Sequence, residues 1–386
     1  MNLNNNSTAN IPLSLYIHTP WCIKKCPYCG FNSYKLTDKL PEQEYITALL
    51  RDLENDLNKA QGRHLVSVFF GGGTPSLFSA DGIFALLKKI SACIAFAPNI
   101  EITLEANPST LEQKYLSAYK QAGITRVSLG AQSFQPDKLH ILGRIHSINE
   151  TFSSLEKIKQ ANFNSFNIDL MHGLPGQTIN DALFDLQTAI SCKPQHISWY
   201  ELTIEPGTVF HTMRVQLPHE DIRMQIQEQG LNLLQQMGFI RYEVSAFAIP
   251  QYQCLHNINY WEFGDYIGIG AGAHSKITNL ITHEIHRYKK KQQPKAYLSS
   301  KQSYIEEKEI LATKQIPVEF MLNALRLTNG FQKSLFQERT NLPLSNINAI
   351  LETAENMKLL SITKDKIIPT NLGTMFLNDL LQLFIK

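Results

Sequence analysis

Six short apolar runs, each followed by a segment of helical pattern, constrain this chain more than any other feature. The runs are Leu13–His18, Leu65–Phe70, Ile100–Glu105, Arg126–Gly130, Ser165–Leu170 and His196–Thr203. Each is rich in β-branched or aromatic residues and ends in Gly, Pro or a polar cluster, as strands do. In the segments between them, such as Pro41–Ala60 and Ala80–Ala95, apolar residues recur at three and four, the helical period. An amphipathic helix around Asp221–Met237 precedes a seventh strand-like element, Tyr266–His274, punctuated by Gly264, Gly268, Gly270 and Gly272. Alternating β and α units imply a parallel sheet with right-handed crossovers. That leaves an open doubly wound sheet or an incomplete (β/α) barrel.

The position of the chemically unusual residues separates these two. A cysteine-rich loop, Gly71-Gly-Gly-Thr-Pro75, Glu105-Ala-Asn-Pro108, Gln132-Ser-Phe134, Asp169 and Glu201 all fall at or just past the C-terminal ends of successive strands. Barrels gather their active-site residues on that face, several strands each supplying some. The expected fold is therefore α/β, a partial (β/α)6-type barrel spanning residues 1–285. Beyond that point, residues 286–386 are Leu/Ile-rich and mostly helical in pattern. A hairpin-like stretch at Ser361–Thr370 and a last apolar helix, Leu372–Ile385, give this second unit a winged-helix-like outline.

Composition excludes several classes. Hydrophobic residues make up 43% and charged residues 18% of the 386, enough apolar side chains for a large core. The net charge of +2 provides no electrostatic footprint for nucleic acid. The densest basic run, Arg287-Tyr-Lys-Lys-Lys291, is expected to be a solvated turn, and without a basic stripe the second unit suits structure or protein contact better than DNA. The polar, Asn-rich first eleven residues predict no signal peptide. No apolar run is long enough to span a membrane. Outside the cysteine-rich loop the thiols of Cys93, Cys192 and Cys254 are scattered, the pattern of a reducing, cytoplasmic location.

That loop, residues 18–31 after the first strand, holds Cys22, Cys26 and Cys29 at CxxxCxxC spacing. The three thiols are too close together for a disulfide framework. Two metal chemistries remain. A [4Fe–4S] cluster normally takes four cysteines, so three leave one iron open to something other than protein. Zinc would close a Cys₃His site with His18, although zinc motifs usually split their ligands into two pairs across a longer loop. The spacing favours the cluster.

CxxxCxxC after the first strand and Gly71-Gly-Gly-Thr-Pro75 after the second resemble the radical S-adenosylmethionine superfamily. The resemblance extends over nearly the whole chain to its HemN-like group, through Tyr16-Ile-His-Thr-Pro-Trp-Cys22, Glu105-Ala-Asn-Pro108, Gly130-Ala-Gln-Ser-Phe134, Leu142-Gly-Arg-Ile-His146, Asn167-Ile-Asp-Leu-Met-His-Gly-Leu-Pro175 and His256-Asn-Ile-Asn-Tyr-Trp261. It implies a [4Fe–4S] cluster on Cys22, Cys26 and Cys29, with S-adenosylmethionine on the open iron. The cofactor would be held by Tyr16, Tyr28, Gly72, Gly73, Thr74, Glu105, Gln132, Arg144 and Asp169, with Tyr16 and Tyr28 in one pocket and the glycine loop on the methionyl amine. Read without the resemblance, Glu105 is equally a barrel salt bridge, whereas three consecutive glycines exceed what a simple turn needs.

Within the group, the heme-chaperone branch fits better than the coproporphyrinogen III dehydrogenase branch. The dehydrogenases carry a further cysteine where this chain has Phe31, and a longer N-terminal segment. His256-Asn-Ile-Asn-Tyr-Trp261 is similar to the HNxxYW pattern of the chaperones, which implies heme as cargo, with His256, Tyr260 and Trp261 as its candidate contacts. Taken alone, His256 is more readily a hydrogen-bonded loop histidine, and only the family pattern turns it toward heme; His18, His146, His172 and His274 are second candidates. The implied partners are heme and acceptor hemoproteins such as respiratory-chain enzymes, with a homodimer left open. Oxidative decarboxylation of coproporphyrinogen III in porphyrin biosynthesis is the alternative.

Overall fold

The structure, a computed structural model, describes residues 11–110 and 113–385. The polar opening, residues 1–10, on which the expectation of no signal peptide rests, lies outside the described residues. Six strands run parallel in strict chain order: β1 (Leu13–Thr19), then, after the short loop strands β2 (Trp21–Cys22) and β3 (Tyr34–Lys35), β4 (Leu65–Gly72), β5 (Phe96–Ala106), β6 (Arg126–Gln132), β7 (Ser165–His172) and β8 (His196–Glu201). Doubly wound sheets reverse strand order at a switch point; here each new strand is laid beside the last, as in a barrel. The barrel stays open. Beyond β8 the sheet continues antiparallel through β10 (Ala246–Ala248) to the edge strand β9 (Ile240–Glu243).

On its other side β1 pairs in parallel with β11 (Asp265–Ile269), so the seventh strand lies next to the first. The sequence suggested one element from Tyr266 to His274. Instead the chain turns at Gly270–Ala273 and returns as antiparallel β12 (His274–Thr278). Gly270 and Gly272 have φ of +105° and +81°, and a Cβ on them would lie 2.3 Å from the His18 carbonyl oxygen and 2.1 Å from Asn32 Nδ2. Both positions require glycine.

The sheet then runs past residue 285 through β13 (Ile285–Lys290) and β14 (Ile305–Ile310), where sequence pattern suggested helix. The expected solvated turn Arg287–Lys291 is largely strand β13. Lys290 there is buried and paired with Asp52 and with Asp56 (2.8 Å), both on helix Glu42–Asp56. Burial of the long aliphatic stem and two carboxylate partners offset the desolvation of its ammonium.

Helices cover the barrel, and their sequence caps set where they start. Ser79 accepts from the Gly82 amide, and Ser147/Glu150 and Thr178/Asp181 form capping boxes. The main apolar core lies between these helices and the sheet. A second core begins at Leu311 and centres on Phe320, Phe331 and Phe336, with Phe263 and Ile285 contributed by the preceding chain. It packs helices against a three-stranded sheet of β15 (Phe331–Gln332), β16 (Leu360–Ile362) and β17 (Lys366–Pro369), the expected hairpin plus one strand. The last helix is broken at Phe376 into Asn371–Met375 and Leu377–Ile385. Among the described residues no helix is long and apolar enough to cross a membrane.

Candidate functional site

At the C-terminal ends of the strands the loop from Pro20 to Ser33 folds over the barrel mouth. Cys22, Cys26 and Cys29 are half-buried free thiols, and all three line one cavity of about 360 Å³. The Cys29 amide bonds the Cys26 carbonyl (3.1 Å), the Cys29 sulfur lies 3.8 Å from Ser33 Oγ, and Arg144 Nη1 is 3.7 Å from the Cys26 sulfur. Burial pushes the Cys22 thiol up from its ordinary value. Among the described residues no three His, Cys, Asp or Glu side chains close on one point as ligands of a metal ion. His18 is already engaged, with Nδ1 3.0 Å from Tyr16 Oη and Nε2 2.8 Å from the Asn32 carbonyl. The closed Cys₃His site is therefore not formed. Thiols spread around a cavity rim suit a cubane, whose cysteines each take a separate iron.

The glycine loop forms the wall beside the thiols. The amides of Gly72, Gly73 and Thr74 are all used, by Glu105 Oε2 (3.3 Å), the Thr19 carbonyl (2.6 Å) and the Trp21 carbonyl (2.8 Å). The loop thus offers a ligand acceptors rather than donors, which suits an amine. Gly72 has φ +110°, and a Cβ there would lie 2.5 Å from the His18 ring; one on Gly73 would meet the Trp21 carbonyl at 2.5 Å.

Across the cavity, register brings polar side chains together. Glu105 pairs with Ser128, Gly130 with Asp169, and Asp169 with Ser198. Asp169 accepts from Ser128 Oγ (3.0 Å) and Asn167 Nδ2 (2.7 Å). Burial, with the Asp169 charge added, pushes the Glu105 carboxyl up to about 8, while the Gly72 amide pulls the other way. No salt bridge engages Glu105 among the described residues; Arg126 acts on it only through its field. Gln132 follows a register shift in the β6 ladder and has φ +68°. Such a bulge re-aims a side chain at a functional edge, and here the Gln132 amide oxygen accepts from the Tyr200 hydroxyl at 2.7 Å. Arg144 reaches the Gly130 carbonyl (2.7 Å) and the Asn107 side chain.

A second cavity of about 510 Å³ joins the first, sharing Phe31, Gly72, Glu105, Ser128, Asp169 and Ser198. Tyr16 lines this inner space and Tyr28 the outer one, two parts of one joined space. Helix Leu255–Trp261 lies across the N-terminal end of the barrel, its first amides and the Cys254 thiol bonded to Glu101 (3.2–3.3 Å). His256 and Tyr260, one turn apart, face the inner cavity with Phe69, Tyr266 and His274. Ser67 Oγ holds His256 Nδ1 at 3.0 Å, and burial pushes the imidazole down to about 3, keeping it neutral. Asn259 is structural, bonding Ser14 Oγ and the Asp265 carbonyl. Trp261 is absent from the cavity lining: it points to the second unit, where the Arg326 guanidinium stacks 4.4 Å above its ring. Residues 256 and 260 share a helix face that 261, some 100° further on, leaves. His146 and His172 are spent elsewhere, on the Ala131 carbonyl and against the Trp199 ring.

The comparisons with known proteins agree with this layout. The chain matches the Radical SAM superfamily over residues 16–188 and the HemN C-terminal domain over residues 311–376. It is 48% identical to the heme chaperone HemW of Haemophilus influenzae, with 97% of this chain and 98% of that protein covered. The chain belongs to the HemW family. It is 44% identical to the Escherichia coli member over 97% of this chain and 98% of that one, and 31% identical to the Bacillus subtilis member over 96% and 99%. The solved structure of coproporphyrinogen III oxidase (HemN) from Escherichia coli superimposes with a TM-score of 0.82, covering 98% of this chain and 91% of that one at 22% identity, which shows a common fold.

Asn107, Ser128, Ser198, Tyr200, Phe69 and Arg126 line the cavities without having been singled out from the sequence. The signal was the period of two along β6, β7 and β8, which carries Arg126, Ser128 and Gly130 inward together.

Proposed function

We propose that the chain is a heme chaperone of the HemW type that carries a [4Fe–4S] cluster and S-adenosylmethionine in the outer cavity and heme in the inner one. The observation that carries this reading is the pair of joined cavities, with three unpaired thiols at the mouth of one and His256 facing the other. Cys22, Cys26 and Cys29 would ligate three irons, and bound S-adenosylmethionine would supply redox chemistry at the fourth. Thr74, Gly72 and Gly73 would orient its amine, and Glu105, Asp169, Gln132 and Arg144 the rest of the cofactor. His256, neutral and held by Ser67, retains Nε2 for a heme iron, and Tyr260 flanks it. Trp261 acts at a distance, by fixing the helix.

The second unit, proposed from about residue 286 with its own core from Leu311, would buttress that helix through Arg326 and Trp261. Acceptors would be hemoproteins such as respiratory-chain enzymes, reached in the cytoplasm, with a second copy of the chain as a further partner. The dehydrogenase alternative rests on a common fold alone. At the position of the further dehydrogenase cysteine stands Phe31, 67% exposed at the cavity mouth.

The test is anaerobic reconstitution followed by two assays on one preparation. Saturable heme binding without conversion of coproporphyrinogen III supports the chaperone. Multiple-turnover decarboxylation overturns it.

A further inference from the structure

The floor of the inner cavity holds a cation with no hydrogen-bond or ion-pair partner, its charge met only through the fields of nearby groups such as Glu101 and Asp169. Arg126, the first residue of β6, is 3% exposed and lines the cavity, yet no hydrogen bond or ion pair engages its guanidinium among the described residues, and its Nε is buried and unsatisfied. Its register neighbour Thr103, fully buried on β5, has an unsatisfied hydroxyl. Thr103 is in turn in register with Phe69, and Phe69 with Tyr16, so these side chains belong to one layer. A guanidinium cannot escape by losing its proton, and a buried charge left unpaired is costly.

The carboxylates nearest to Arg126 are committed elsewhere. Glu101 takes the first amides of the helix across the barrel end, Asp169 takes Ser128 and Asn167, and Glu105 takes the Gly72 amide. The charges of Glu101 and Asp169 temper the field of Arg126, so what the floor offers is directed N–H donors rather than a large net charge. That suits one carboxylate, gripped by the planar fork of the guanidinium, better than a polyanion. Above the floor the walls are aromatic: the Phe69 and His256 rings are 5.0 Å apart, Tyr16 and Phe69 6.4 Å, and Tyr260 and Tyr266 4.8 Å.

We propose that Arg126 forms a carboxylate-binding floor that takes one propionate of a porphyrin held between these aromatic walls. The proposal rests on the heme reading above and adds to it the end of the cargo that enters first. Porphyrins without a free propionate bind more weakly by the same feature, because they leave the guanidinium without the carboxylate it can grip.

Soret titrations of the reconstituted full chain with heme and with heme dimethyl ester, in matched detergent, test it. Wild type is expected to bind the acid about tenfold or more tighter than the ester, the worth of one charge-assisted contact. Arg126→Gln should bind heme at the level of the ester and treat the two alike. Equal wild-type affinity for acid and ester overturns the proposal while leaving heme as cargo, as does an Arg126→Gln variant that keeps the preference. Absence of heme binding by wild type overturns the heme reading itself, and the floor with it. If the glutamine variant fails to fold by circular dichroism, the acid-to-ester ratio of wild type decides alone.

Discussion

At the residue scale the account turns on side chains whose environment dictates their chemical state. Cys26 is one of three thiols on the rim and receives the Arg144 guanidinium. Cys26→Ser is expected to abolish iron and sulfide loading while leaving the far-ultraviolet circular dichroism of the barrel intact, because the loop lies outside the strand core. Unchanged iron content would remove the cluster assignment. Glu105 makes a pH-dependent prediction. Its carboxyl, ordinarily near 4.5, is pushed up to about 8 in the folded protein, so above pH 4.5 the folded chain holds a proton that the unfolded chain has lost. Its contribution to stability is therefore full below about 4.5 and lost as pH rises through about 8. Glu105→Gln should raise the Tm of the cluster-free protein at pH 8, leave it nearly unchanged at pH 4, and weaken S-adenosylmethionine binding. His256→Ala should shift the Soret band of bound heme without loss of the cluster. An identical spectrum would remove His256 as the iron ligand.

At the element scale, strand ends and their loops do the positioning. Gly72 sits at the end of β4 with φ +110° under the His18 ring. Gly72→Val should therefore displace His18 and the loop tied to it through Asn32, weakening S-adenosylmethionine binding several-fold with little change in circular dichroism; unaltered affinity in a titration would contradict the role given to this loop. The strand-helix alternation and the face carrying the site were legible in the sequence, because period two and period three to four are local signals. The cysteine spacing and the glycine run were legible for the same reason. What was not legible depended on pairing between distant segments. The placement of β11 beside β1, the turn at Gly270–Gly272 and the burial of Lys290 against Asp52 are all set by tertiary partners. Trp261 adjoins Tyr260 in sequence, but helix geometry turns it some 100° away, toward Arg326.

At the scale of the whole molecule, an open sheet encloses two joined cavities, and a second core backs the helix that lines one of them. Phe320 is fully buried at the centre of the second core, edge-on to Phe263, Phe331 and Phe336. Phe320→Ala should cost about 3–5 kcal/mol and, through Arg326 and Trp261, loosen the helix carrying His256, lowering heme affinity more than cluster content. Equal loss of both would mean that the second unit supports the barrel generally and has no particular tie to that helix. The central claim is that the inner cavity carries heme as cargo, and heme transfer tests it most directly. Cluster-loaded protein bearing one equivalent of heme is mixed with an apo-hemoprotein acceptor, and the Soret band is followed. The account predicts that the donor band gives way to that of the acceptor while the cluster absorbance persists. Heme that never binds saturably, or that stays with the chain when an acceptor of higher affinity is present, would contradict it.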